Sequence, residues 1–254
     1  MTDTRAVTFF SAAVDTVPGA ALILPLWPSG GPRAMLSPRS AGPMTYEPAC
    51  GNPVRDAWLS SQGCKHGRVL AVTLAHSRRV VAAWSADQLG GVEADGIVTD
   101  NPSVCAVVTV ADCMPIYLYD TRSGAFGLLH SGWKGTGILE DAVELMGRTY
   151  GTRPADLAAC LGPHIGPCCY RVDAGRAKAF SDQFGQAAVL WHDDGPRLNL
   201  AAANVALAER LGIGYLSVAT DCTSCDPIFG SFRREGPQAF TRMAAVIGYP
   251  ERAS

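Results

Sequence analysis

VCAVVTVADCMPIYLYDTRSGAFGLLHSGWKGTGILEDAVELMGRTY, residues 104–150, carries three strand-like runs followed by one helix-like stretch. Val104–Val110, Pro115–Tyr119 and Ala125–His130 are short β-branched, aromatic or aliphatic runs, closed by Gly, Asp or Pro. Beyond Gly137 the period changes. Leu139, Val143 and Met146 recur at helical spacing while Glu140, Asp141 and Glu144 lie mostly on the other side, which predicts a helix over Ile138–Tyr150. The same two patterns continue outward. Strands are expected at Val69–Ala75 and Arg79–Trp84, then at Leu157–Leu161, Ala187–Trp191, Tyr215–Ala219 and Met243–Gly248, with helices over Ala174–Phe184 and Leu200–Leu211. Such interleaving defines the class as α/β, of an α+β-like kind, with a mixed sheet.

The passage from Pro28 to Gly63, punctuated by Gly30, Gly31, Pro32, Pro38, Gly42, Pro43 and Pro48, reads as irregular and is expected to cover an edge or line a site. With no internal repeat or low-complexity block, a single domain over residues 1–254 is expected. A hydrophobic share of 48% with 17% charged residues suits a chain that folds around a core. The formal net charge is −2, and no stripe of Lys or Arg is present to track a phosphate backbone, which argues against nucleic acid as a partner. The apolar run Ala20–Trp27 contains Pro25 and is too short to cross a bilayer. Met1–Arg5 carry one basic residue and lack a signal-like stretch behind them, so the expected location is cytoplasmic, without a membrane partner. The sequence does not fix the oligomeric state; a monomer is the expectation. The nine cysteines are an odd number in apolar runs or motif-like loops, which suggests thiols or metal ligands over a disulfide framework.

Only five histidines are present, and two of them adjoin strand-like runs that also deliver a cysteine. His76 follows Val69–Ala75, Cys113 follows Val104–Val110, and His130 closes Ala125–Leu129, so all three stand at strand ends, where a sheet presents side chains to a cleft. Zinc accepts imidazole and thiolate, and a catalytic zinc keeps three protein ligands with water in the fourth place. Such water ionises near neutrality and becomes a nucleophile. The three positions are scattered, and single His and Cys residues commonly serve only to pack a core. Elsewhere, Cys222 and Cys225 form a Cys-x-x-Cys without a second pair close in sequence, and they read as structural thiols. Adjacent Cys168 and Cys169 occupy a Gly/Pro-dictated loop in which one thiol can face the cleft and neither reads as a ligand. His164 shares that loop and can approach a substrate, whereas His66 and His192 read as surface residues. The pair Arg233-Arg234 can clamp a phosphate or carboxylate, or simply be solvated. The turn Gly132–Gly137 opens a helix with free amides but matches neither a P-loop nor a dinucleotide fingerprint.

Six segments in order, Leu74-Ala75-His76-Ser77, Ala94–Thr99, Ala111–Pro115, His130–Gly135, Leu161–Pro167 and Ser231–Arg234, resemble the bacterial laccase-domain or polyphenol oxidase-like proteins. That family is regarded as purine nucleoside phosphorylases with adenosine deaminase side activity, and some members are called peptidoglycan editing factors. The resemblance runs from about Val69 to Gly248; before Gly63 it is loose, with Ser37-Pro38-Arg39-Ser40 suggesting an arginine-bearing turn. It implies one compact unit with mixed sheets layered between helices, distantly similar to bacterial toxin deamidases that use a Cys–His pair. It also implies zinc, with copper the lesser alternative, held by His76, Cys113 and His130. The implied partners are phosphate and adenosine, inosine, guanosine or methylthioadenosine, with hydrolytic deamination of adenosine as a second reaction.

Within that expectation, Cys113, Asp112 and Lys134 are the candidate catalytic residues, Asp112 as a proton carrier. Arg39, His164, Arg234 and Arg242, together with Lys134, are candidates for substrate or anion contact. Three positions depart from the family: Lys134 for a frequent Arg, Ser77 for a usual Gly, and Phe232 for a frequent Tyr. A lysine holds phosphate as a point charge without the planar fork of arginine. Two rival chemistries remain: a metal-free amidase in which His130 activates Cys113, and copper-dependent phenol oxidation, for which five histidines are few. A zinc that only braces the fold would ordinarily use four protein ligands.

Overall fold

The computed structural model describes residues 7–12, 21–24 and 31–249. The readings of Met1–Arg5, of Ala20–Trp27 as one run, and of the passage start at Pro28 and Gly30 lie outside those residues. In chain order the first half forms β1 (Val7–Phe10), β2 (Leu22–Ile23), β3 (Arg33–Leu36), α1 (Pro53–Ser61), β4 (Val69–Ala71), β5 (Val80–Ala82), β6 (Gly96–Thr99), β7 (Cys105–Val110), β8 (Met114–Asp120) and β9 (Phe126–Ser131). The second half forms α2 (Ile138–Tyr150), β10 (Leu157–Leu161), α3 (Ala174–Phe184), β11 (Val189–His192), β12 (Gly195–Leu198), α4 (Leu200–Leu211), β13 (Tyr215–Ala219), α5 (Phe232–Glu235) and β14 (Met243–Gly248).

Two mixed sheets result. A seven-stranded sheet runs β1-β13-β10-β8-β9-β6-β5, and a five-stranded sheet runs β2-β3-β14-β7-β4. Side chains alternate across a strand, and β8 uses both faces. Ile116 and Leu118 join Leu139, Val143 and Met146 of α2 and Leu207 of α4 in one cluster. Tyr117 points the other way, where it meets Phe126 and Leu128 of β9, Ala106 and Val108 of β7, and Ile247 of β14. Its hydroxyl donates to the Met35 carbonyl at 2.9 Å, a polar tie between the two sheets. The far face of the smaller sheet, with Met35, Val107 and Val246, is covered by Trp58 and Leu59 of α1. The layers are therefore helices, seven-stranded sheet, five-stranded sheet, helix, an α/β arrangement of mixed sheets between helices. No helix among the described residues is long and apolar enough to cross a membrane.

The amphipathic helix anticipated at Ile138–Tyr150 forms over those residues, ending at Gly151 in the left-handed region, φ 68°. Helix α1 was hidden by the surrounding prolines. Asn52 caps it, accepting from the Val54 and Arg55 amides at 3.1 and 3.2 Å, and Pro53 takes the first helical position, where its missing N–H costs nothing. Strand β4 stops at Ala71 instead of continuing to Ala75. The amides of Ala75, His76 and Ser77 turn away to meet a buried carboxylate, and that turn builds the site.

Candidate metal centre and cleft

The carboxylate belongs to Asp95, fully buried at the start of β6. Its oxygens accept from the amides of His76 (3.0 Å), Ser77 (2.7 Å) and Ala75 (3.3 Å) and from the Ser77 hydroxyl (2.7 Å). They also lie 2.8 Å from Nδ1 of His130. One side chain thus folds the loop after β4 and orients an imidazole from β9. Burial alone would raise its pKa, but the hydrogen bonds from His130 and Ser77 outweigh it and hold the carboxyl below its ordinary value.

His76 and Asp112 are the only non-glycine residues among the described ones with positive φ, at 55° and 79°. This conformation is costly for side chains other than glycine's and is retained where surrounding bonds over-determine it. At Asp112 those bonds run from the Thr223 hydroxyl and the Arg233 amide, each 2.7 Å from a carboxylate oxygen. The strained turn carries Cys113 into the space between His76 and His130. A ligand atom from each of the three residues lies within 4.8 Å of the others, and the two rings stand edge to face with centroids 4.9 Å apart. His130 and Asp95 are buried, Cys113 is half-buried and His76 is exposed, so the cluster opens to one side.

The donor set suits a metal ion in three respects. Asp95 occupies Nδ1 of His130 and leaves Nε2 for coordination, the usual arrangement of a carboxylate behind a ligating histidine. Gly132 leaves room beside the thiol, since a Cβ there would stand 2.7 Å from Cys113 Sγ and 4.0 Å from His76 Cδ2. The thiol itself is acidic. Burial would push Cys113 up, but the charge and hydrogen bond of His130, then those of His76, draw it down to about 6 without metal. Burial acts against the imidazolium of His130, whereas the Cys113 thiolate and Asp95 raise its pKa to about 9. In metal-free protein, alkylation of Cys113 by iodoacetamide should therefore rise as pH increases through about 6. Peptide mapping checks this, and added zinc should protect the residue.

The cluster lies at the wall of a cavity of about 540 Å³, within the roughly 300–1,000 Å³ common for small-molecule sites. Aromatic rings of Tyr46, Trp133, Tyr170, Phe232 and Phe240 line it, as do the cations Arg176, Arg233 and Arg242. Arg176 stacks on Trp133 and Arg242 on Phe240, with guanidinium carbons 4.5 and 4.3 Å from the ring centroids. Tyr46 and Thr45 come from the irregular passage, which does line the site as expected. A smaller cavity of about 360 Å³ near α1, lined by Arg55 and Cys64, contains none of the three clustered residues.

Of the other residues singled out in the sequence, Asp112, Phe232, Arg233 and Arg242 reach the cleft. Both oxygens of Asp112 are already engaged by the Thr223 and Arg233 contacts, so it braces the walls rather than standing free to carry a proton. Arg234 is turned away, its guanidinium donating to the carbonyls of Thr223, Asp226 and Phe229 and to Glu235. Arg39 pairs with Glu235 at 3.2 Å, and Lys134 sits exposed over the Trp133 ring at 5.6 Å; neither lines the cavity. His164 is buried outside the cavity, its Nδ1 2.9 Å from the Gly162 carbonyl, with burial lowering its pKa and keeping it neutral. Sequence reasoning passed over Asp95, Arg176 and Tyr170. The acid in Ala94-Asp95-Gly96, two residues after Glu93 and just ahead of the apolar Ile97-Val98, was the one legible signal.

A family model described as multi-copper polyphenol oxidoreductase laccase matches residues 48–250. The purine nucleoside phosphorylase of Deinococcus radiodurans is 40% identical over 162 residues, 63% of this chain and 63% of that protein. Purine nucleoside phosphorylase YlmD of Geobacillus stearothermophilus is 36% identical over 62% of this chain and 60% of its own length. The chain thus aligns with about three-fifths of these relatives. The crystal structure of YlmD from Geobacillus stearothermophilus superposes with a TM-score of 0.83 at 25% identity, covering 94% of this chain and 99% of that one. The crystal structure of the Bacillus licheniformis protein YfiH gives 0.79 at 27% identity, over 92% and 97%.

Proposed function

Since this chain belongs to the family described as multi-copper polyphenol oxidoreductase laccase, and relatives within it are named purine nucleoside phosphorylase, we propose that it is a zinc-dependent purine nucleoside enzyme. It cleaves adenosine, inosine, guanosine or methylthioadenosine with phosphate, and it deaminates adenosine by hydrolysis. The observation that carries this reading is a half-buried His-Cys-His cluster opening onto a cavity lined by aromatic faces and arginines.

His76, Cys113 and His130 would hold the ion, which when bound supplies a Lewis acid and lowers the pKa of water. The protein's own groups do the rest. Asp95 holds Nδ1 of His130 and fixes the ring's direction. Flat rings of Tyr170, Trp133 and Phe240 offer stacking faces for a purine and keep water from it. Arg242, whose charge rests over Phe240 inside the cleft, is the group for phosphate, with Arg176 a second cation in the same lining. Arg233 is partly committed, donating to the Cys169 and Arg171 carbonyls at 2.9 and 3.0 Å. A charge-assisted contact contributes about 1.5–3 kcal/mol, so Arg242→Ala should raise the KM for phosphate roughly tenfold to a hundredfold. Phosphate-independent deamination should change far less. Initial rates at varied phosphate check this.

The family description names copper, but His66, His164 and His192 all stand outside the cluster, which leaves two imidazoles for a multicopper centre. The low pKa of Cys113 beside His130 also fits a thiol nucleophile and so favours an amidase as the second reading. A panel of nucleosides, with and without phosphate, followed by chromatography tests the first. Free base that appears only with phosphate, and inosine from adenosine without it, are expected. No turnover by metal-replete protein, or undiminished activity after complete chelation, would remove the proposal.

A further inference from the structure

Strands β10 and β13 run parallel as neighbours, so the loops leaving their C-terminal ends emerge side by side. The first carries Cys168 and Cys169, the second Cys222 and Cys225. Pairing continues past the strands through a parallel bridge between His164 and Cys222, and the Thr223 amide donates to the His164 carbonyl at 3.0 Å. Two half-motifs far apart in the chain are thereby brought together. The four Sγ atoms all lie within 4.8 Å of one another, with Cys225 at 3.5 Å from Cys168 and 3.4 Å from Cys169.

We propose that Cys168, Cys169, Cys222 and Cys225 bind one zinc ion as a closed structural site, separate from the His76–Cys113–His130 cluster. A tetrahedral ion with zinc–sulfur bonds of about 2.3 Å separates its sulfurs by about 3.8 Å. The observed spacing is close to that and far from the roughly 2 Å of a disulfide, and all four are free thiols. One backbone donor is aimed at the cluster. The Gly166 amide donates to Cys222 Sγ at 3.2 Å. Gly166 has no Cβ to interfere; one would stand 3.2 Å from Cys168 Sγ and 3.3 Å from Cys222 Cβ. Arg234 gathers the Thr223, Ser224 and Asp226 carbonyls and so shapes the loop that brings Cys222 and Cys225 to Cys168 and Cys169. Without an ion, four free thiols would crowd one partly exposed spot.

The position gives the ion a task. Tyr170, which lines the cleft, follows this cluster directly, Arg233 donates to the Cys169 carbonyl, and Thr223 holds Asp112, so the two loops joined by the cysteines support one wall of the cleft from behind. A tetrathiolate ion would pin that wall independently of the reaction performed beside it.

Metal analysis of the full chain tests this without an activity assay. Two zinc ions per chain are expected, one remaining in His76→Ala/His130→Ala and one in Cys222→Ser/Cys225→Ser. In the unvaried protein, a mercurial reagent should release both ions, and after metal removal under denaturing conditions all nine cysteines should titrate as free thiols. Wild-type protein with a single zinc ion that the His76→Ala/His130→Ala change removes would overturn the site. So would iron in place of zinc, or seven titratable thiols, which indicates a disulfide. The measurements on unvaried protein decide even if the cysteine variant fails to fold.

Discussion

Cys113→Ser is expected to abolish metal binding at the cleft and reduce nucleoside turnover by at least about a hundredfold. The change preserves volume, so packing is not the cause. A serine hydroxyl remains protonated near neutrality and is a poor zinc ligand, whereas the Cys113 thiol, between His130 and His76, ionises at about 6. Metal assistance contributes several kcal/mol to the transition state, and each 1.4 kcal/mol is a factor of ten. Zinc content and kcat should fall together, and the second zinc, held by the four cysteines, should stay. Retention of two ions with loss of activity would instead favour Cys113 as a nucleophile.

Asp95→Asn is the second large effect, and it involves no candidate ligand. Five donors converge on the two oxygens of Asp95: three amides, a hydroxyl and the His130 ring. An amide of the same shape turns an NH2 toward at least one of them, leaving a buried donor unmatched at a cost of about 1–3 kcal/mol. It also removes the charge that favours the Nδ1–H tautomer of His130. Zinc affinity at the cleft should drop roughly tenfold to a hundredfold, as for other partners behind a ligand. Competition with a chromophoric chelator measures the affinity and thermal unfolding measures the stability. A purely structural role would lower the melting temperature and leave the affinity of the folded protein unchanged. Because the Asp95 pKa is lowered by folding, its stabilisation is complete above the unfolded value of about 3.9 and is lost as pH falls through the lower folded one. Neutral-pH measurements therefore compare the full contribution with its absence.

How much of this was legible depends on how far apart the interacting residues stand. Helices α2, α3 and α4 and strands β10, β13 and β14 occupy their anticipated ranges, because amphipathic period and turn residues are local signals. Strand β4 ended early since the conformation of Ala75–Ser77 is dictated by Asp95, which lies beyond the local pattern. His76, Cys113 and His130 were recognisable because metal-capable side chains are scarce and each follows or ends a strand-like run. Arg234, equally suggestive by type, is occupied by backbone carbonyls, and only the folded loop reveals that its charge is spent there.

The sequence by itself determined the alternation of strands and helices, the family likeness and the three residues capable of holding an ion. The tertiary structure decided which arginines face the cleft, that Asp95 orients the site, and that Cys168 and Cys169 meet Cys222 and Cys225. The physical reason is that residue type and period express local backbone preference, whereas these meetings follow from parallel pairing of β10 with β13 and antiparallel pairing of β6 with β9. Pairing brings distant chain segments within bonding range, and no single segment encodes its partner.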